Sequence, residues 1–329
     1  MTTVQTVTGP IEVDALGPTL VHEHFYFSYP GDTLDPADDF DRDRCIEVAL
    51  ERVEQVQEHG IQTWIDPTPI ECGRDPELLA EISERTGLNI VCATGFYHEH
   101  IGLPYYWRVR SEDEVYELYM HELTEGIDGS GIKPGIVKVA SGDPVTEQER
   151  KVIRAAGRAA KETGTTIVTH CENATGWDVQ QDLLAEVGMD LGRCLIGHQD
   201  QAVDASQVVK IAERGSFVGI DRIGYEVLAP EDQRVGLVKA LLEAGHQASV
   251  CLSQDHMCCL RSAKFPYPIP PGIDEATAAQ LEPWLREQMY GQPHSYVFTD
   301  FWPKLEAAGV ERATFDSLMT DNPRRLFGG

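Results

Sequence analysis

Short apolar runs alternate along this chain with longer segments whose apolar residues recur every three or four positions. The runs lie near 18–22, 61–66, 89–93, 135–139, 166–170, 194–198, 217–220 and 249–253. Runs of that length, flanked by Gly and Pro, predict buried strands. The intervening segments read as helices. Over 41–58, Ile46, Leu50, Val53 and Val56 fall on one face, and Gly60 follows the end. A second helix spans about 75–86 and stops at Gly87. Ser111 with Glu114 and Thr146 with Glu149 have the spacing of capping boxes, so helices start there. The second of these buries Val152, Ile153, Ala156 and Ala160 and ends at Gly164. Further helices are predicted near 177–187, near 204–214 and after Pro230.

Eight strands, each followed by a helix or a helix-sized segment, predict an α/β fold with a parallel sheet covered by helices. Closed on itself, such a sheet is a (β/α)8 TIM barrel. The rival is an open doubly wound sheet. No linker or low-complexity tract divides residues 1–329, so a single domain is expected. Residues 1–17 form a lead-in with a hairpin near Thr8-Gly9-Pro10. After the eighth strand, 256–292 reads as a long loop containing the proline-rich stretch 265–271 and a short helix near 274–290. Its aromatic residues, Trp284 among them, favour a packed lid or pocket wall over disorder.

The formal net charge of -27 argues against nucleic acid, since phosphate binding needs clustered Lys and Arg. It argues equally against an anionic membrane surface. None of the eight cysteines forms a CxxC pair, and several sit inside strand-like runs, so they read as small buried hydrophobes in a reduced compartment. The first residues lack the pattern of a signal peptide, and no apolar run is long enough to span a bilayer. A cytoplasmic protein is therefore expected.

Barrel enzymes carry their chemistry at the C-terminal ends of the strands. Those ends here hold His22 and His24 from the first strand, Lys138 from the fourth, His170 from the fifth, His198 from the sixth and Asp255 after the eighth. His22 and His24, two apart on a strand, project to one side, as suits a Zn²⁺-type ion, while Glu23 projects to the other. Alone, each residue has a plain structural reading: His170 as a core histidine, Asp255 as a loop cap, Lys138 as the partner of a carboxylate. Together they converge on one face. A lysine ammonium beside cations would be repelled. Carbamylation by CO₂ would turn it into an anionic bridging ligand. His98-Glu99-His100, after the third strand, repeats the His-Glu-His pattern and reads as pocket lining or exposed loop before a weak extra metal site. Cys258 and Cys259 also read as pocket lining, and His59, His121, His246 and His294 belong to no constellation.

His22-Glu23-His24, Val137-Lys138-Val139, Thr169-His170-Cys171-Glu172, Ile196-Gly197-His198 and Ser253-Gln254-Asp255-His256 resemble the signatures of the phosphotriesterase family of the amidohydrolase superfamily. Asp221-Arg222 and Asp321-Asn322-Pro323-Arg324-Arg325 fit as well. Within that family the chain is most similar to phosphotriesterase-like lactonases, which include N-acyl-homoserine lactonases that quench quorum sensing. The resemblance implies two divalent metal ions, Zn foremost, with Co, Mn or Fe as alternatives. His22, His24 and Asp255 would hold the more buried ion and His170 and His198 the more exposed one. Carbamylated Lys138 and a hydroxide would bridge them. Tyr97 and Arg222 would line the substrate pocket, and Asp255 would shuttle the proton from the hydroxide to the departing ring oxygen. The expected substrate is a small-molecule lactone and the expected assembly a homodimer. A phosphotriesterase acting on organophosphates is the alternative, and a non-catalytic metal-dependent binding protein a more distant one. The segment after Asp255 is longer than the family pattern, so the acyl-chain pocket is expected to differ.

Overall fold

The computed structural model describes residues 2–261 and 274–329. Eight parallel strands succeed one another: β1 (Thr19–Leu20), β2 (Thr63–Ile65), β3 (Asn89–Val91 continued by Ala93–Gly95), β4 (Ile136–Ser141), β5 (Thr166–Cys171), β6 (Cys194–Ile196), β7 (Phe217–Ile220) and β8 (Val250–Leu252). Each pairs with the next, from β1 on β2 to β7 on β8. The chain also joins its first edge to its last. Asp255 N donates to His22 O at 2.9 Å and His24 N to His256 O at 2.8 Å. Beyond them His24–Ser28 pairs in parallel with Met257–Arg261. The fold is thus the (β/α)8 barrel that the alternation predicts and not an open sheet.

Two strands are broken within their expected extent, and β2, β6 and β8 are shorter than expected. β1 stops at Leu20, and the chain passes through Val21–Glu23 before resuming as His24–Ser28. There Glu23 N bonds Ile65 O at 3.1 Å and His22 N bonds the Ser253 hydroxyl at 3.0 Å, so side-chain and single backbone bonds replace the ladder. β3 is interrupted at Cys92, whose carbonyl accepts from both Gly135 N and Ile136 N. Two residues of one strand facing one of the other make a local bulge. Within the expected loop over 256–292, Met257–Arg261 is a strand, while the expected short helix is present at Glu275–Tyr290. The proline-rich stretch 265–271 lies outside the described residues.

Inside the barrel, Ile65, Val91, Ile136, Val168, Leu195 and Phe217 form one apolar cluster. Val4 of the N-terminal hairpin (Thr3–Thr6 against Gly9–Glu12) and Leu326 and Phe327 of the last helix close its N-terminal end. The lower half is therefore filled with hydrocarbon, and polar side chains are confined to the opposite end. The seven helices that follow β1 to β7 in turn, from Arg42–Gln57 to Glu231–Glu243, bury their other faces on the barrel wall. Both predicted capping boxes form. Glu149 does more than cap: its Oε1 also accepts from Glu99 N at 2.9 Å and Gly142 N at 3.1 Å, which ties the loops after β3 and β4 together.

At the end of β7, fully buried Arg234 bonds Asp200 at 3.0 Å, Glu231 at 3.0 Å and the Tyr225 carbonyl at 2.9 Å. Asp200 in turn accepts from the amides of Asp221 and Arg222. Removing the guanidinium would leave two buried carboxylates without their cation. Arg234→Met should therefore destabilise the fold by about 3–5 kcal/mol, read as a lowered urea midpoint. A change below about 1 kcal/mol would mean the network carries little of the stability.

Candidate metal centre

His22, His24, Lys138, His170, His198 and Asp255 all reach the C-terminal mouth of the barrel and are buried there. Lys138 Nζ lies 3.1 Å from His22 Nε2. Asp255 Oδ1 lies 3.1 Å from His24 Nε2 and 3.5 Å from His22 Nε2, and its Oδ2 3.8 Å from His198 Nε2. The His170 ring meets that of His198 edge-on at 4.5 Å. Donor atoms of His22, His198 and Asp255 lie within 4.8 Å of one another, close enough for one cation to touch all three.

The far side of each imidazole is held by another group. Asp221 takes two of them, with Oδ2 3.2 Å from His22 Nδ1 and Oδ1 2.9 Å from His198 Nδ1. Thr68 Oγ1 is 2.6 Å from His24 Nδ1, and Glu172 Oε2 is 2.8 Å from His170 Nε2. Partners of this kind fix which ring nitrogen is free and turn it inward, as metal-binding histidines require. The residues therefore fit a pair of divalent cations: four oriented imidazoles, one carboxylate and a lysine whose modified form would add a second anion. Thr68 was not visible in the sequence, and Asp221 and Glu172 stood there only inside motifs, without these roles. Their partners are up to 199 residues away in the chain.

Two glycines make room for Asp221. A Cβ on Gly219 would lie 2.5 Å from Asp221 Oδ2, and one on Gly197 would lie 2.3 Å from Thr169 O. His198 and Asp255 themselves adopt left-handed backbone conformations, with φ of 59° and 56°. Such residues are strained and persist where surrounding bonds hold them. Here the bonds are His198 N to Asp221 at 2.7 Å, Asp255 N to His22 O, and Tyr225 OH to Asp255 O at 2.7 Å. Glu23, as expected, points away from the cluster. Its carboxylate accepts from Ser253 Oγ, Gln254 N and His256 N at 2.7–3.0 Å and clamps the seam between β1 and β8.

The titration of the cluster follows from its burial. Desolvation lowers His22 to about 4 and His170 to about 3, and it holds His198 well below the usual imidazole range. These three are neutral near pH 7, the form that binds metal. Burial also pulls His24 down, but its bonds to the Asp255 and Asp66 carboxylates prevail and raise it to about 9. Burial works against the Asp255 carboxylate too, yet the neighbouring imidazoles and Arg222 keep it well below the usual range. Lys138 is lowered by burial to about 8. Roughly a tenth of it is then the free amine at pH 7, which is the species that reacts with CO₂.

A cavity of about 590 Å³ opens above these groups. Tyr97 and Arg222 both line it. Arg222 Nε bonds Asp255 Oδ2 at 2.9 Å, and the Tyr97 ring packs edge-on against His170 at 4.9 Å. His98 and His100 line the cavity as well, in keeping with the plainer expectation for them. Cys258 and Cys259 differ from expectation. Met257 lines the cavity, while the two cysteines pack on the core, Cys259 Sγ 3.6 Å from Cys45 O, because Met257–Arg261 is a strand and not a free loop. A second, open cleft of about 700 Å³, lined by Asp32, Arg74 and Glu122 among others, has no histidine or cysteine in its lining and shares Tyr29 with this cavity. Among the described residues no helix is long and apolar enough to cross a membrane.

Comparison with known proteins agrees with the geometry. The organophosphorus hydrolase of Deinococcus radiodurans superposes with a TM-score of 0.87 at 36% identity, over 99% of this chain and 97% of that one. A variant of a PTE-like lactonase from the same organism gives 0.88 at 35%, over 99% and 100%. The aryldialkylphosphatase of Saccharolobus solfataricus is 33% identical over 321 residues, 96% of each chain. The model of the phosphotriesterase family matches residues 2–327. With that match, the barrel and the metal-binding groups at its mouth, the chain belongs to the phosphotriesterase family of metal-dependent hydrolases.

Proposed function

We propose that the protein opens lactone rings, N-acyl-homoserine lactones foremost, at a two-metal centre held by His22, His24, His170, His198, Asp255 and carbamylated Lys138. The observation that carries this reading is the cavity's division into a polar floor and an apolar wall. The floor has Arg222 and Asp255 in contact beside Tyr97. The wall has Phe27, Val227, Leu228, Met257 and Leu285, which suit an acyl chain. Leu285 comes from the Glu275–Tyr290 helix, which supports the segment after β8 as a lid and specificity element. All eight cysteines are free thiols, consistent with a cytoplasmic enzyme.

Two divalent ions bound at these residues would supply a deprotonated water near neutral pH and polarise the scissile carbonyl. The chain's own groups do the rest. Asp255, ionised across the ordinary pH range, takes the proton of the attacking water and passes it to the departing ring oxygen. Arg222 holds the Asp255 carboxylate and places positive charge beside the developing oxyanion. Tyr97 orients the lactone ring against the floor. The wall excludes water and positions the chain.

A phosphotriesterase is the second reading, favoured by the relatives named for that activity. The same centre can serve both, because an ester carbonyl and a phosphoryl group each develop negative oxygen. Acid release from acyl-homoserine lactones of graded chain length, with paraoxon alongside, separates them in protein reconstituted with Zn²⁺ or Co²⁺ and bicarbonate. Chain-length-dependent lactone opening that far exceeds paraoxon turnover is expected; dominant paraoxon turnover would reverse the assignment. Asp255→Asn should lower kcat by about 10²–10⁴, and near-wild-type turnover in metal-loaded protein would remove its role as proton carrier. Reconstitution with ¹³C-bicarbonate should give a carbamate carbon resonance that is absent in Lys138→Met. An identical spectrum in both would rule out the modification at that residue.

A further inference from the structure

His98 is the buried titratable group in the cavity that the proposed reaction leaves unused. It lies in the loop after β3 and is 5% exposed. Its ring stacks on that of His170, with centroids 5.6 Å apart and planes 27° from parallel. Its Nδ1 is buried and has no hydrogen-bond partner among the described residues. Leaving such a group unsatisfied is unfavourable, so a ligand that uses the ring would recover what the fold gives up.

Glu172 stands next to it, reaching from the end of β5 with about a third of its side chain open to the cavity. Among the described residues its engaged oxygen is Oε2, bonded by His170. Donor atoms of His98, Glu172 and His170 lie within 4.8 Å of one another. The sequence suggests His98 and His100 as the natural pair, because they stand two apart. The fold pairs His98 with Glu172 instead, 74 positions further along the chain.

We propose that His98 and Glu172 form an accessory site for a divalent cation of the Zn²⁺ class, distinct from the two-ion centre and on the cavity side of His170. One imidazole and one carboxylate bind the ion, and cavity water completes its shell, a donor set suited to Zn²⁺, Co²⁺ or Mn²⁺. In this arrangement His170 Nε2 stays on Glu172 Oε2, and His170 is not counted among the ligands of this site. Two protein ligands and nearby positive charge make this the weaker site, filled after the main centre. The word accessory rests on the two-ion reading above; the site itself rests on His98 and Glu172.

The test is a count of bound metal. Metal-free full-length protein is dialysed against a Zn²⁺ series with bicarbonate, and zinc per chain is measured at each concentration. Wild type should take up one more ion per chain than His98→Phe, which keeps the ring stack but removes both nitrogens. If His98→Phe fails to fold, His98→Leu, which also removes both nitrogens and leaves Glu172 on His170, should lose the same ion. Equal uptake by wild type and the folded variants would overturn the site. A wild-type count below two would count against the two-ion centre instead, and the accessory site would still be decided by the difference between wild type and variant.

Discussion

Asp221 receives the rings of both His22 and His198, and the geometry of the centre depends on that shared carboxylate. A buried imidazole that can spin about its Cβ–Cγ bond offers no fixed lone pair. One that is hydrogen-bonded at its far nitrogen offers a single direction. Asp221 does this for two rings from two strands, β1 and β6, that lie on opposite sides of the β7–β8 pair. Burial opposes its charge, yet bonds from His22 and from the His198 amide hold its pKa below the usual range. Space for it exists because Gly197 and Gly219 carry no side chain. Its backbone is fixed by Asp200, and Asp200 is balanced by Arg234. A chain of charge compensation thus runs from the outer helix Glu231–Glu243 to the reacting atoms.

The barrel seam is part of the same device. His22 and His24 could not face Asp255 unless the first and last strands met. They meet through backbone bonds on either side of Glu23, while the Glu23 carboxylate gathers three donors from the segment 253–256. Burial raises that carboxylate to about 8, the expected cost of placing an anion there, and the donors offset part of it. The middle residue of His22-Glu23-His24 therefore closes the barrel, and the outer two furnish its chemistry. The strand break at Val21–Glu23 follows, since a regular ladder would leave no donors for the clamp.

Much of this was legible from local pattern. The strand runs, the helix periodicity and both capping boxes appear where the residues put them, because each depends on contacts within a few positions. The barrel followed from counting strands, and the six converging residues followed from reading strand ends. The reading went astray where a distant partner decides local form. Met257–Arg261 resembles loop when read alone and becomes strand only because His24–Ser28 lies alongside. Cys258 and Cys259 then turn to the core.

Local pattern was enough to place the strands and helices in order, to set the side on which the histidines fall and to supply the chemical types at the barrel mouth. These are properties of periodicity and composition, which act over a few residues. Tertiary structure alone decided that Asp221 serves two rings, that Glu172 stands behind His170 beside His98, that Arg222 contacts Asp255, and that Lys138 is buried enough for its pKa to fall. Each of these depends on where strands far apart in the chain come to lie, and on the exclusion of water that their meeting produces. No local pattern encodes that desolvation, because it belongs to the closed barrel as a whole.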